Sequence, residues 1–236
     1  MDERNQSKMP FFLAYQHDTT IIPSDFTITS LLRIKPRGIF EKSFQMDFLF
    51  ACGTQEGPIL IAGFSNSNKT PQFISLLNGH SYSITDIQES LNGDKFISIS
   101  SDSTICIWSM FDASCLMKSQ LHLEKGDYHI SLCPSDPSLI WIWSVGNSVH
   151  AFNIDTADIL YCLPIDGLRN FSAVSAHSSC SVSESLVVAY TVSNIISYTI
   201  DHDCTLKYHS EWPSPDILTL SVFIGHRGII IYGKFD

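Results

Sequence analysis

The stretch that decides the fold is residues 79–108, "GHSYSITDIQESLNGDKFISISSDSTICIW". It begins with Gly-His, ends with Trp108, and carries Ser98 and Asp102 between them. Its central part reads as two strands joined by an Asn-Gly turn. The same stretch holds a Ser, a His and an Asp, which are the residue types of a hydrolase triad. Whether they form a catalytic site or a structural one decides whether the chain is an enzyme.

The composition of the whole chain favours strands over helices. Only 16% of its 236 residues are charged and 44% are apolar, while Ser, Thr and β-branched residues are plentiful. Its apolar runs are short, and no run keeps a helical period over the length of a helix. Examples are "FLFACG", "PILIAGF", "TICIWSM", "LIWIWSV" and "IISYTI". The sequence therefore predicts an all-β protein.

The apolar runs repeat at a nearly constant pitch. With Trp108 as the anchor of one strand, the matching positions in other strands are 46, 44 and 46 residues apart along the chain. These four anchors are Ala62, Trp108, Phe152 and Tyr198. A pitch near 45 residues, with a tight turn before each anchored strand, is typical of propeller blades. The four anchors are therefore predicted to lie in the third strands of successive blades.

Residues 79–108 resemble a WD repeat, with Trp108-Ser109 where the family has Trp-Asp. The resemblance implies a buried structural tetrad made of His80, Ser98, Asp102 and Trp108. In that tetrad the indole bonds the hydroxyl, the hydroxyl bonds the imidazole, and the imidazole bonds the carboxylate. Every buried polar group then has a partner.

A catalytic role for the Ser, His and Asp is not predicted. Ser98 lies in the middle of the strand "FISIS", without the glycine-flanked elbow on which nucleophilic serines sit. We therefore interpret the set as structural and predict no catalytic residues. The other blades match the repeat more weakly, with Glu56, Gly146 and Val192 at the position of the Asp.

The anchors predict an unfinished ring. The next anchor would fall beyond the last residue, and rings of this family usually close with about seven blades. We expect a WD-repeat β-propeller of about four full blades plus part of a fifth, an open or incomplete ring, in residues 27–236 behind an N-terminal segment of residues 1–26. Residues 217–232 should form strands of the unfinished blade. Their sheet should expose Ile224, Ile230 and Tyr232. Such an edge should self-associate or bind a partner chain, as in a fragment of a longer protein.

Charge and cysteine content indicate the partners and the compartment. A net charge of −10 disfavours nucleic acid and anionic lipid, and the cluster Arg33, Lys35 and Arg37 reads as a solvated edge. The seven cysteines are odd in number and include no CxxC, which favours reduced thiols. The N-terminus does not read as a secretion signal and no apolar run has the ~18 residues of a membrane span. We expect a soluble, cytoplasmic protein without an integral membrane segment.

No cofactor or metal is predicted. The sequence has no Walker loop and no GxGxxG. One group of metal-ligand residue types matches no familiar zinc spacing: Cys115, His122, His129 and Cys133. Trp141 and Trp143 alternate along one strand and are predicted to pack in the core.

A second resemblance covers roughly residues 27–163. The order "GTQEGPILIAGF", "NGHSYSITDI", "SSDSTICIWSMFDASCLMKSQLHL" and "VHAFNIDTADILYCL" is similar to the N-terminal propeller of rabconnectin-3 beta type WD-repeat proteins. That family regulates assembly of the vesicular proton pump and Rab-linked vesicle traffic through a large partner. The resemblance implies a protein held on vesicle or vacuolar membranes through its partners.

Three functions remain open from the sequence. The leading hypothesis is a non-catalytic scaffold that mediates protein–protein interactions. A propeller enzyme would need catalytic acids and bases on loops around a central channel, and the sequence shows no such cluster. A small-molecule or lipid-binding propeller would need a paired basic motif, which is also not seen.

Overall fold

The computed structural model describes residues 26–34, 46–65, 68–146, 148–175, 185–201, 203–213, 219–225 and 228–234. Within these ranges the chain forms eighteen β-strands and no helix. The prediction of an all-β protein is therefore confirmed. Across the same residues, no helix is long and apolar enough to cross a membrane.

The strands form four antiparallel sheets of four strands each, followed by a hairpin, and every sheet uses strands consecutive in sequence. The first sheet contains β1 (Ile28–Ile34), β2 (Phe48–Thr54), β3 (Ile59–Ser65) and β4 (Asn68–Leu77). The second contains β5 (Ile84–Glu89), β6 (Lys95–Ser100), β7 (Thr104–Ser109) and β8 (Cys115–Gln120). The third contains β9 (Tyr128–Leu132), β10 (Leu139–Ser144), β11 (Val149–Asn153) and β12 (Asp158–Leu163). The fourth contains β13 (Leu168–Ser175), β14 (Ser185–Thr191), β15 (Asn194–Ile200) and β16 (Leu206–Pro213). The hairpin is formed by β17 (Thr219–Gly225) and β18 (Gly228–Lys234).

The four anchors occupy the same place in the four sheets. They lie on β3, β7, β11 and β15, the third strand of each sheet, as the sequence predicted. At every anchor the pairing with the fourth strand shifts by one residue, which is the geometry of a β-bulge. The residues left over on the fourth strands are Ile74, Leu116, Leu160 and His209. A bulge at one equivalent position in all four sheets shows that they are repeats of one unit.

The chain divides into two compact units, Met1–Lys125 and Gly126–Asp236. The first unit holds the first and second sheets, and its core includes Leu49, Ile61, Phe96 and Trp108. Within this unit the second sheet is tied to the first by the Thr29 hydroxyl, which donates to the Ile84 carbonyl at 2.5 Å. The second unit holds the third and fourth sheets and the hairpin. Its core includes Trp141, Trp143, Phe171 and Val187, so both tryptophans are buried as predicted.

The hairpin of β17 and β18 spans most of the residues predicted to begin a fifth blade. The side chains of Ile224, Ile230 and Tyr232, which were predicted to be exposed, lie outside the described part of the structure. The same holds for Lys35 and Arg37 of the predicted basic edge. Arg33, the third member, places its guanidinium 4.6 Å from the centre of the Phe48 ring.

Candidate functional site: the buried polar network of the second sheet

A buried polar network joins three of the four residues selected from the sequence. Ser98 on β6 is fully buried, and its Oγ accepts a hydrogen bond from Trp108 Nε1 at 2.9 Å. The same oxygen lies 2.6 Å from Nε2 of His80, in the connection between β4 and β5. His80 is only 7% exposed and Trp108 only 2%. The network therefore ties the loop that enters the sheet to its two central strands.

Position 79 requires glycine because the Trp108 indole occupies the space that a side chain at this position would need. A Cβ at Gly79 would lie 2.6 Å from Cη2 of Trp108 and 3.2 Å from Sγ of Cys106, and the first of these distances is a clash. A second glycine supports the loop from the first sheet. Gly57, in the turn between β2 and β3, has a φ of +108°, and a Cβ there would lie 2.7 Å from the His80 carbonyl oxygen. The Gly-His pair is thus fixed by close contacts on both sides.

Asp102 is placed differently from the sequence prediction. Its carboxylate accepts hydrogen bonds from Ser100 Oγ and, at 3.0 Å, from the backbone N–H of Thr104. It therefore closes the tight turn between β6 and β7, where Ser103 has a φ of 64°. The predicted bond to the imidazole is replaced by a 3.9 Å approach between His80 Nδ1 and Cys106 Sγ. In a turn, the short side chain of an aspartate accepts hydrogen bonds from donors two residues away more readily than from a donor that is distant in the sequence.

The electrostatics of the network hold the imidazole neutral. Burial lowers the pKa of His80 to about 4, and the negative charge of Asp102 opposes only part of that shift. Burial alone would raise the pKa of Asp102, but hydrogen bonds from Ser100 and Thr104 outweigh it and lower that pKa. At neutral pH the carboxylate is therefore ionised while the imidazole carries no charge.

The arrangement does not suit nucleophilic catalysis. The 2.6 Å contact between Ser98 and His80 resembles a nucleophile paired with its base. A substrate carbonyl must reach the serine oxygen, however, and Ser98 has no exposed surface. That oxygen already accepts the indole N–H of Trp108, and a nucleophilic serine needs a free face beside an oxyanion hole. The geometry is that of a satisfied core network.

A second network in the third sheet was not found from the sequence. Ser131 Oγ accepts a hydrogen bond from Trp143 Nε1 at 3.1 Å and donates one to the Phe171 carbonyl at 2.7 Å. The ring of His129 packs against that of Trp143 with 4.5 Å between centroids. This serine and this tryptophan lie on β9 and β10, the first and second strands, one strand earlier than their counterparts in the second sheet. The alternation of two tryptophans along β10 was the one available signal, and it did not identify the serine.

Across the described ranges, no three His, Cys, Asp or Glu side chains are grouped to hold a metal ion. Of the four residues considered from the sequence, Cys115 is exposed at the start of β8, whereas Cys133 is buried directly after β9. The six cysteines that the structure describes are all free thiols.

Replacing Asp102 by Ala is expected to lower the free energy of unfolding by about 1–3 kcal/mol, because Ser100 Oγ and the Thr104 N–H lose their acceptor. Asp112→Ala is the matched control. Asp112 closes the turn between β7 and β8 through two bonds from Ser114 at 3.1 and 2.8 Å, but those bonds are exposed and should contribute under about 1 kcal/mol. Urea unfolding monitored by tryptophan fluorescence measures both. Equal losses in the two variants would contradict the structural role of Asp102.

Comparison with known proteins shows the fold. No protein-family model matches the chain, and no curated protein matches it. Among solved structures, a chain of the "Crystal Structure of Mitotic Checkpoint Complex", a WD40 propeller, is similar with a TM-score of 0.56 and 17% identity. The match covers 80% of this chain and 61% of that one, so this chain spans less than two thirds of its neighbour's length. Four consecutive four-stranded sheets, their shared register and this neighbour establish a β-propeller fold.

Proposed function

We propose that the chain is a non-catalytic scaffold that holds partner proteins. The burial of Ser98 supports the non-catalytic part of this proposal. Ser98 makes the Ser-His contact of the second sheet, and a substrate cannot reach a serine that is fully buried. The fold supports the scaffold part, since the WD40 propeller that it resembles is a chain of a multi-protein complex. Propellers leave the loops that join their strands free to bind other proteins.

A surface in the second unit is suited to this role. Its three parts are the turn between β10 and β11, the connection between β12 and β13, and the turn between β14 and β15. The Gly146 N–H donates to the Leu168 carbonyl at 2.6 Å, and the Val192 N–H donates to the Gly167 carbonyl at 2.9 Å. The last residue of the connection and the first residue of β13 therefore each accept a hydrogen bond from one of the two turns, so the three segments lie side by side. We call this surface the turn surface.

The turn surface combines apolar and acidic side chains. Val145 is 60% exposed and Val192 is 62% exposed. Asp166, in the connection between the two turns, is also exposed. Exposed apolar side chains with a polar group among them are typical of protein–protein interfaces. A partner with an apolar centre and a basic rim would fit this surface.

Crosslinking and affinity capture from cells test the proposal. The wild-type chain is compared with the double variant Val145→Asp/Val192→Asp and with the control Leu160→Asp, whose side chain is 53% exposed on the fourth strand β12. Proteins enriched by the wild type and by the control should be lost from the double variant. Circular dichroism and the Tm show that all three are folded. The same captured set from all three would contradict the turn surface.

An enzyme assay tests the proposal that the chain is non-catalytic. The purified chain should not hydrolyse ester or phosphoester substrates above the rate of buffer. Turnover that disappears in Ser98→Ala, while the variant stays folded, would overturn the non-catalytic assignment.

The proposal extends to a cytoplasmic role beside the vesicular proton pump. Its support is the likeness of residues 27–163 to rabconnectin-3 beta type proteins, together with the free thiols at all six described cysteines. Enrichment of proton-pump or Rab-associated proteins in the capture experiment is the expected result. A captured set without either class would leave the scaffold function standing and overturn this narrower role.

A further inference from the structure

Two thiols lie beside the polar network of the second sheet without a role in the proposed function. Cys106, on β7, is fully buried, and Cys115, the first residue of β8, is exposed. Cys115 pairs with Trp108 across the two strands, and Cys106 precedes that tryptophan by two positions. Opposite residues of an antiparallel pair share a face of the sheet, and so do residues two apart on one strand. Both thiols therefore lie on one face.

The bulge in β8 determines this arrangement. Ile107 pairs with Met117 but Trp108 pairs with Cys115, so Leu116 is left over and the strand is shortened along its partner. Without that shift, the residue opposite the tryptophan would be Leu116. The bulge thus places Cys115 opposite Trp108 rather than Ser109, one position nearer to Cys106.

The two thiols differ in their readiness to ionise. A hydrogen bond with the Cys106 thiol is the largest influence on Cys115 and lowers its pKa to about 7, although burial acts in the opposite direction. The same hydrogen bond, with burial, raises the pKa of Cys106. The charge of Lys118, which pairs with Cys106 across the strands, also lowers the pKa of Cys115 and so favours its thiolate. The thiol that ionises is therefore the one that solvent can reach.

We propose that Cys106 and Cys115 are a peroxide-reactive dithiol, in which Cys115 is the attacking residue and Cys106 the resolving one. An accessible thiolate beside a second cysteine is the arrangement found in redox-reactive cysteines. The Cys115 thiolate attacks one oxygen of a hydroperoxide, the O–O bond breaks, and a sulfenic acid forms while the other oxygen leaves as an alcohol or water. The Cys106 sulfur then attacks the sulfenic sulfur, and the S–O bond breaks as hydroxide leaves with the Cys106 proton as water. Two thiols become one disulfide, and the peroxide takes up the two electrons.

Oxidation would act on the polar network through Cys106. Its Sγ lies 3.9 Å from His80 Nδ1, and Gly79 packs against the same sulfur. A disulfide draws this sulfur toward β8 and away from the imidazole. The oxidised chain is therefore expected to have a different Tm from the reduced chain.

The molecule contains its own controls. Cys133 and Cys204 form a second pair of interacting thiols, within the other unit, but burial raises the pKa of both, that of Cys204 to about 11. These thiols stay protonated and should react slowly. Cys162 is exposed on β12, the strand equivalent to β8, and the residue opposite it on the neighbouring strand is His150 rather than a cysteine. It controls for accessibility alone.

The test begins with the purified full chain. After brief treatment with hydrogen peroxide near neutral pH, non-reducing peptide mapping by mass spectrometry should show a Cys106–Cys115 disulfide, with Cys133, Cys162 and Cys204 still reduced. Alkylation of Cys115 by iodoacetamide should follow a pH midpoint near 7 and be about tenfold faster at neutral pH than for a cysteine in an unstructured peptide, since ordinary thiols have a pKa of about 8.5.

Variants separate the two steps. Cys106→Ser should leave Cys115 as a sulfenic acid that dimedone traps, and Cys115→Ser should leave Cys106 reduced. If Cys106→Ser does not fold, Cys106→Ala serves the same purpose. The proposal is overturned if Cys162 or the Cys133–Cys204 pair oxidises as fast as Cys115, or if no Cys106–Cys115 disulfide forms in the wild type.

Discussion

Trp108→Ala is expected to lower the free energy of unfolding by about 3–5 kcal/mol. The side chain is 2% exposed, so its removal leaves a cavity in the core of the first unit. Its ring stacks on that of Phe96, with 5.9 Å between centroids and 10° between the planes. Its N–H is also the donor to Ser98, which would keep only the imidazole as a partner. Urea unfolding followed by circular dichroism measures the loss, because the substitution removes one of the four tryptophans and so changes the fluorescence signal itself.

Two further variants divide the effect into packing and hydrogen bonding. Trp108→Phe keeps an aromatic ring but removes the donor, and should cost about 1–3 kcal/mol. Trp212→Ala removes a tryptophan that is 39% exposed on β16 and should cost less than about 1 kcal/mol. A loss at position 108 no larger than that at 212 would show that the indole is not part of a rigid core.

The stability of the chain should fall by about 3 kcal/mol between pH 6.5 and pH 4 because of His80 alone. In the unfolded chain this histidine binds a proton near its ordinary pKa of 6.5, whereas burial lowers the pKa in the folded chain to about 4. Between these two values the unfolded state binds more protons than the folded state. Stability from this group is therefore complete above pH 6.5, is lost as the pH falls, and changes no further below pH 4.

His80→Gln is the control for this titration. The glutamine amide can still bond to Ser98 but has no proton to gain, so the variant should lack the additional slope. Burial also lowers the pKa of His150, but that residue is present in both proteins and cancels in their difference. Denaturation midpoints at half-unit pH steps give the comparison. Parallel curves for the two proteins would mean that the imidazole titrates as an exposed one.

The pitch of the anchors was enough to predict the third strand of each sheet. Ala62, Phe152 and Tyr198 share no residue type with Trp108, yet each follows a turn and an apolar run at the same interval. A strand that is buried on both faces needs an apolar run, so the spacing of these strands can be read from the spacing of the runs in the sequence. The pairing register between the third and fourth strands cannot be predicted in this way, because a bulge shifts that register by one residue without changing the apolar pattern.

The site could be predicted only in part for a related reason. Ser98, His80 and Trp108 are brought together by strand pairing and by the Gly-His loop, both of which the sequence pattern indicates. The partners of Asp102 depend on which donors its turn presents, and Ser100 and Thr104 are closer than the imidazole. The position of Cys115 opposite Trp108, on the face of the sheet that carries Cys106, depends on the bulge in β8 and could not be predicted from the alternation of residues.

The recurring bulge also affects how the chain behaves at high concentration. Each fourth strand is the last of its sheet and carries a row of backbone groups that a strand from another molecule could pair with, which is how fibrils nucleate. At the bulges the spacing of these groups is interrupted and the strand twists more strongly. An incoming strand therefore meets only short regular stretches on either side. Since the interruption recurs in all four sheets, we expect the fourth-strand edges of these sheets to resist templated fibril growth better than straight, uninterrupted edges would.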